Sequence, residues 1–156
     1  MTHLHFALKL IHILGATVLF GTGLGIAFFM WMAHHTRDAA VVAHTARAVV
    51  IADAAFTATA VVLQPLSGAA LIWLAGYSWR DPWIAASLGL YVLAGLCWLP
   101  VVWLQMRMRD LAADAARRAA PLPAEYDRLF RVWFVLGWPA FLAVLAIVAL
   151  MVWKPS

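Results

Sequence analysis

The sequence predicts an all-α fold, a transmembrane four-helix bundle, from its composition, its pattern and the length of its apolar segments. Of the 156 residues, 66% are hydrophobic and 12% are charged, whereas soluble domains are about half apolar and a quarter charged. Four apolar stretches cover approximately residues 6–33, 48–75, 82–105 and 131–153. Each exceeds the roughly 20 residues that a helix needs to cross a bilayer. Because hydrocarbon offers no water to pair backbone groups, each stretch must be helical.

These spans use nearly the whole chain and predict a single membrane domain over residues 1–156. No length remains for a soluble catalytic domain, so any chemistry must take place within the bundle or at its ends. The net charge of +4 does not come from a soluble basic module. We therefore expect the lipid bilayer as partner, with the basic residues setting topology and touching anionic headgroups, and no nucleic acid. Self-association into a homo-oligomer through the glycine-containing helix faces is also expected.

The distribution of basic residues predicts the orientation of the chain. Eight of the eleven Lys and Arg residues lie between spans one and two or between spans three and four: Arg37, Arg47, Arg107, Arg109, Arg117, Arg118, Arg128 and Arg131. The other three, Lys9, Arg80 and Lys154, belong to the opposite side of the membrane in this pattern. The positive-inside rule places both of these links in the cytoplasm and both termini outside, as expected for a multi-pass membrane protein. Tryptophans predict the membrane boundaries, with Trp31 and Trp133 at the inner one.

The two basic links are predicted to differ in structure. The longer link contains Pro121 and Pro123, and its charge pattern predicts a helical continuation of span three, a proline turn and then span four. The shorter link is predicted to be a loop that contains His44.

His12 is the strongest functional candidate, because an imidazole inside an apolar span is costly. It lies about 10 Å, or two turns, inside the outer end of span one. Three interpretations remain open: a neutral side chain that hydrogen-bonds a neighbouring helix, an axial ligand to haem iron, or a proton relay. Lys9 lies on nearly the same face and can extend its long side chain to the membrane surface. Lys9, water, a methionine or a second subunit could supply the other axial ligand.

Polar residues on spans two and three predict faces that point into the bundle. Asp53, Thr57, Gln64 and Ser67 share one face of span two, while Ser87, Tyr91, Trp98 and Gln105 share one face of span three.

Individual members of these faces carry further expectations. Asp53 is expected to form an ion pair with Arg47, Arg109 or Arg131. Gln64 precedes Pro65, which leaves a backbone carbonyl without its partner, so Gln64 could serve that carbonyl or a cofactor substituent.

A second metal or haem site is a weaker possibility at His34, His35 and His44, whose spacing matches no known metal motif. The sequence contains no P-loop, GxSxG, HExxH or CxxC motif.

Several segments resemble a superfamily of small bacterial membrane proteins. The segment Leu8–Gly15, followed by Phe20 and Gly21, resembles the first helix of HemJ-type protoporphyrinogen oxidases and of CopD-type copper-resistance membrane domains. The segments 64–68 and 98–107 resemble a branch described as predicted integral membrane proteins of unknown function. This resemblance implies a four-helix membrane bundle with haem b bound at His12. HemJ-type enzymes carry a lysine early in the third helix that residues 79–87 lack, so protoporphyrinogen oxidation is not implied.

The sequence thus leads to three functional hypotheses. The first is a haem b protein, cytochrome-b-like, in electron transfer or tetrapyrrole redox chemistry, in which His12 ligates the metal and Gln64, Ser67 and Tyr91 contact propionates or set polarity. If it is an enzyme, an oxidoreductase is expected; its redox partner is unknown. The second is a copper-related or small-solute transport protein, since Met30 and Met32 near His34 suit a soft metal. The third is an accessory membrane subunit without a cofactor.

The orientation can be tested with a reporter enzyme or fluorescent protein fused after Ser156. Because eight basic residues hold the two links inside, the reporter is expected to behave as external. A reporter that behaves as cytoplasmic would contradict this orientation and place His12 in the inner half of the membrane.

Overall fold

Four long helical segments form the molecule in the computed structural model, which describes residues 3–155. The predicted domain also includes Met1, Thr2 and Ser156, which lie outside the described residues. The helices are α1 (His3–Thr36), α2 (Ala39–Ala52), α3 (Ala58–Ala75), α4 (Pro82–Arg117) and α5 (Ala124–Trp153), and a π-helical turn (Asp53–Thr57, the π-turn) joins α2 to α3 without a break. All four segments are long and apolar enough to cross a membrane, which confirms the predicted four-helix fold.

The helices are longer than the predicted spans. The four segments contain 34, 37, 36 and 30 residues, or about 45–55 Å at 1.5 Å per residue, against a hydrocarbon thickness of about 30 Å. The helices therefore project beyond the bilayer. We call the end with residues 37–38 and 118–123 the basic end, and the end where α1 begins, α5 ends and residues 76–81 lie the terminal end.

The two links at the basic end test the sequence prediction. The longer one behaves as predicted, because α4 continues to Arg117 and a proline segment precedes α5. The predicted loop between spans one and two is wrong: only Arg37 and Asp38 separate α1 from α2, and His44 lies in α2. Asp38 caps α2 by accepting hydrogen bonds from the backbone amides of Ala40 (2.8 Å) and Val41 (3.2 Å), so the helix begins at once.

The main apolar core lies toward the basic end. Met30, Val42, Met108, Ala112 and Tyr126 from four helices are fully shielded from solvent there. Trp133 belongs to this core, with only 4% of its surface exposed. Its indole packs inward, because it has a polar partner inside the bundle, described below.

Polar contacts close the basic end around this core. The guanidinium of Arg37 donates two hydrogen bonds to the carboxylate of Asp127, at 2.6 and 3.0 Å, and thereby ties the end of α1 to the start of α5. This pairing raises the pKa of Arg37 above its usual value. The imidazole of His34 stacks on Phe130 with 3.8 Å between ring centroids.

Toward the terminal end the helices form two pairs. α1 packs on α3, and α4 packs on α5, whereas α3 and α4 make no extensive backbone contact with each other. Phe20 of α1 and Phe141 of α5 stack with 5.2 Å between centroids and connect the pairs. At the terminal end itself, Lys154 donates a hydrogen bond of 2.9 Å to the Tyr77 hydroxyl.

A single side-chain hydrogen bond bridges α3 and α4 beside a proline. Pro65 lies inside α3, and since proline has no amide hydrogen, the carbonyl of Val61 four residues earlier loses its helical partner. The hydroxyl of Tyr91 on α4 donates to this carbonyl. The side chain thus supplies, inside the membrane, the donor that the proline removes.

The dependence of Tyr91 on Pro65 can be measured with a double-mutant cycle. Tyr91→Phe leaves the Val61 carbonyl unpaired and is expected to lower the free energy of unfolding by about 1–3 kcal/mol. In a Pro65→Ala background the restored amide satisfies that carbonyl, so the same change is expected to cost less by about 1 kcal/mol. Unfolding in mixed detergent, followed by circular dichroism, gives all four stabilities. Equal costs in both backgrounds would contradict the pairing.

Candidate functional site

His12 lies between α1 and α3 with one ring nitrogen paired across the helices. Its Nδ1 is 2.8 Å from the hydroxyl oxygen of Ser67, which is 5% exposed. The Ser67 hydroxyl donates its one hydrogen to a backbone carbonyl of its own helix, that of Leu63 at 2.6 Å. The hydroxyl must therefore accept from His12, so Nδ1 carries the hydrogen. Nε2 is then unprotonated and has no hydrogen-bond partner within residues 3–155.

Gln64 of α3 forms a second contact with α1 at the level of His12, here with the backbone. Its side-chain Nε2 donates to the carbonyl oxygen of His12 at 2.8 Å. This carbonyl belongs to a different helix from the one that Pro65 disturbs, so the expectation that Gln64 serves the carbonyl freed by the proline is wrong. Tyr91 has that role instead.

Two glycines allow α1 and α3 to approach closely around His12. A Cβ atom at Gly15 would stand 2.6 Å from the side-chain nitrogen of Gln64, and one at Gly68 would stand 3.3 Å from Cε1 of His12. The small residues at this level therefore serve close helix packing. Ser67 of α3 thus holds the ring of His12, and Gln64 of the same helix holds its backbone carbonyl.

The predicted site residues fall into three groups. The structure brings His12, Gln64 and Ser67 together. Tyr91 joins α4 to the same helix, at the carbonyl of Val61. Lys9 is exposed on α1, one turn from His12.

A second polar cluster surrounds Asp53, which is 4% exposed. The indole nitrogen of Trp98 donates to one carboxyl oxygen at 3.3 Å. With the Gln105 amide oriented to satisfy both neighbours, its nitrogen donates to the other oxygen at 3.1 Å and its oxygen accepts from the Trp133 indole at 3.2 Å. The hydroxyl of Thr57, also 4% exposed, lies beside this carboxyl without a well-formed hydrogen bond.

The cluster around Asp53 corrects the predicted ion pair of this residue and confirms the predicted polar faces of spans two and three. No ion pair joins Asp53 to Arg47, Arg109 or Arg131 in the described part of the chain; Arg109 pairs instead with the neighbouring Asp110. The inward-facing polar faces of spans two and three are confirmed, because Asp53 meets Trp98 and Gln105 across the helices. Sequence reasoning missed Trp133, since an indole nitrogen on an apolar helix does not itself indicate a partner.

The histidines of the basic end do not form a metal site. His34 stacks on Phe130, the Nδ1 of His35 bonds the Trp31 carbonyl at 2.7 Å, and His44 is exposed on α2. Among residues 3–155 no three His, Cys, Asp or Glu side chains are close enough together to hold a metal ion.

Comparison with known proteins places the chain in a family. Residues 6–155 match the model of a family described as "Predicted integral membrane protein (DUF2269)". No curated protein and no solved structure matches the chain significantly. The match covers nearly the whole sequence and agrees with four membrane-length helices, so the chain belongs to this family of integral membrane proteins.

Proposed function

We propose that the protein binds haem b through His12 and works in electron transfer or tetrapyrrole redox chemistry. The observation that carries this proposal is the hydrogen bond from Nδ1 of His12 to Ser67, which leaves the lone pair of Nε2 free. Haem-binding and metal-binding histidines use a neutral ring whose other nitrogen donates to a fixed acceptor. The resemblance of the first helix to HemJ-type proteins supports the same role.

The residues around His12 fit an axial ligand. A haem takes only one or two side-chain ligands, so it does not require the three-residue cluster that the described residues lack. When bound, its iron would supply reversible one-electron exchange. Ser67 would hold the tautomer and the ring orientation, and Gln64 of α3 would hold the backbone of α1 at His12. Tyr91 would set the distance between α3 and α4 beside the site.

We further propose that the basic end faces the cytoplasm of a bacterial inner membrane. Eight of the eleven Lys and Arg residues support this orientation. His12 would then lie in the outer half of the membrane, where an electron partner outside the membrane could approach it.

The His12 assignment predicts a specific loss of haem. The parent protein, purified in detergent from cells supplied with haem precursor, is expected to show a Soret band. His12→Ala removes the ligand but makes the span more apolar, so the variant is expected to insert normally and lose most of its haem. Ser67→Ala keeps the imidazole but removes its acceptor, so haem affinity is expected to fall about 10- to 100-fold.

His35→Ala is the matched control, because this histidine lies on the same helix about 35 Å away and bonds only its own helix. Its haem content is expected to equal that of the parent. Full Soret absorbance in His12→Ala would refute the ligand assignment. A parent without a Soret band but with stoichiometric copper would favour the transport hypothesis, and a parent with neither would favour the accessory subunit.

A further inference from the structure

Asp53 is the one acidic residue inside the apolar spans. The other six acidic residues lie at the two ends of the bundle: Asp38, Asp81, Asp110, Asp114, Glu125 and Asp127. A carboxyl group with 4% exposure in such a position is costly unless it is paired with a cation or carries a proton. An acidic residue inside the membrane therefore indicates a functional site, and the groups around it indicate what that site does.

No cation neutralises Asp53 in the described part of the chain. A cationic partner would have to come from one of the helices around Asp53. α1 has none between His12 and His34, and α3 has none. On the other helices the basic groups are His44 and Arg47 on α2, Arg107, Arg109 and Arg117 on α4, and Arg128 and Arg131 on α5. The remaining titratable groups there are Tyr91, Cys97, Asp110 and Asp114 on α4 and Glu125, Tyr126 and Asp127 on α5. None of the cationic groups forms a salt bridge with Asp53, and Arg107 and Arg109 pair with Glu125 and Asp110.

The neutral groups around Asp53 suit both charge states of a carboxyl group. Trp98 and Gln105 can donate to it in either state. The Thr57 hydroxyl is the one buried polar group beside it whose hydrogen-bonding capacity is unused. A hydroxyl can donate or accept by rotating about its C–O bond. Thr57 can therefore donate to a carboxylate and accept from a carboxylic acid, with no movement of the backbone.

The backbone at this point also departs from an ordinary helix. Asp53 and Thr57 are the first and last residues of the π-turn, in which the Ala58 amide bonds the Asp53 carbonyl five residues earlier. Single π-helical turns inside α-helices are frequently found at functional sites. The unusual turn and the unpaired acid thus coincide.

We propose that Asp53 is a proton-binding site within the membrane. The carboxylate takes up a proton delivered by water and becomes a neutral acid whose O–H donates to Thr57. On release, the proton returns to water and the Thr57 hydroxyl donates to the carboxylate. The site is independent of haem at His12, which lies about 20 Å further along the bundle, near Ser67 on the same continuous helical segment.

Infrared difference spectroscopy of the full-length protein tests the proposal directly. Films of purified protein in lipid are compared at acid and alkaline pH. The parent is expected to show, at acid pH, the carbonyl stretch of a protonated carboxyl group in apolar surroundings, and this band is expected to vanish in Asp53→Asn. Asp110→Asn is the matched control, since Asp110 is exposed and pairs with its neighbour, and it is expected to keep the band. Identical bands in the parent and Asp53→Asn would overturn the proposal.

The role of Thr57 has its own control. Thr57→Val removes the acceptor for the acid, so the band is expected to move to higher wavenumber. Thr59→Val removes an exposed hydroxyl that bonds only its own helix, and is expected to leave the band in place. An unchanged band in Thr57→Val would refute the exchange of roles between the two side chains.

A hydrophobic carbodiimide provides a test that needs no variant. It reacts with protonated carboxyl groups in apolar surroundings, so mass spectrometry of the digested parent is expected to find the label on Asp53 at acid pH and less of it at alkaline pH. Absence of label on Asp53 at acid pH, in folded protein, would overturn the proposal.

Discussion

The structure depends on one constraint, which is that a polar group inside lipid must find its partner within the protein. Hydrocarbon neither pairs such groups nor drives helices together, because lipid tails are as apolar as leucine. Some polar side chains bond a carbonyl of their own helix, but others find their partner on a different helix. His12 reaches Ser67, Gln64 reaches the His12 carbonyl, and Tyr91 reaches the carbonyl that Pro65 leaves free. The polar side chains that look unfavourable in the sequence are therefore what holds α1, α3 and α4 in place.

The same constraint is met differently at the two ends. At the basic end, large side chains such as Met30, Met108 and Tyr126 fill a core without exposure, and the Arg37–Asp127 pair closes it. Toward the terminal end, α3 and α4 lack close backbone contact. The core and the ion pair thus hold the helices together at the basic end, whereas His12 lies in the other half of the bundle, where its own polar contacts join α1 to α3.

The fold could be predicted because it follows from composition and length. Four apolar stretches in a chain with few charges allow few architectures. The inward-facing polar faces of spans two and three could also be predicted from the sequence, because polar residues at helical spacing must face away from the lipid tails. The pairing of Trp98 with Asp53 could not be predicted. A helical wheel gives the direction of a side chain, but not which residue of the neighbouring helix lies at the same level along the bundle.

Two errors show where local chemistry overrides such patterns. The first link was predicted to be a loop, yet Asp38 caps a helix there directly. The charges of this link therefore do not interrupt the helical structure for more than two residues. The predicted ion pair of Asp53 failed because arginines near a membrane surface can reach water or exposed acids, as Arg107 does with Glu125. Such pairs avoid the desolvation of a guanidinium that pairing with Asp53 would require.

The π-turn connects these observations, because one extra residue in a turn rotates everything that follows by about 100°. Before the turn, α2 packs against α4; after it, α3 packs against α1. The rotation accompanies the loss of close contact between α3 and α4, and it brings Gln64 and Ser67 to His12. It also places Asp53 where the two packing arrangements meet. The site at His12 and the buried acid therefore depend on the same backbone register, although they lie at different depths in the bundle.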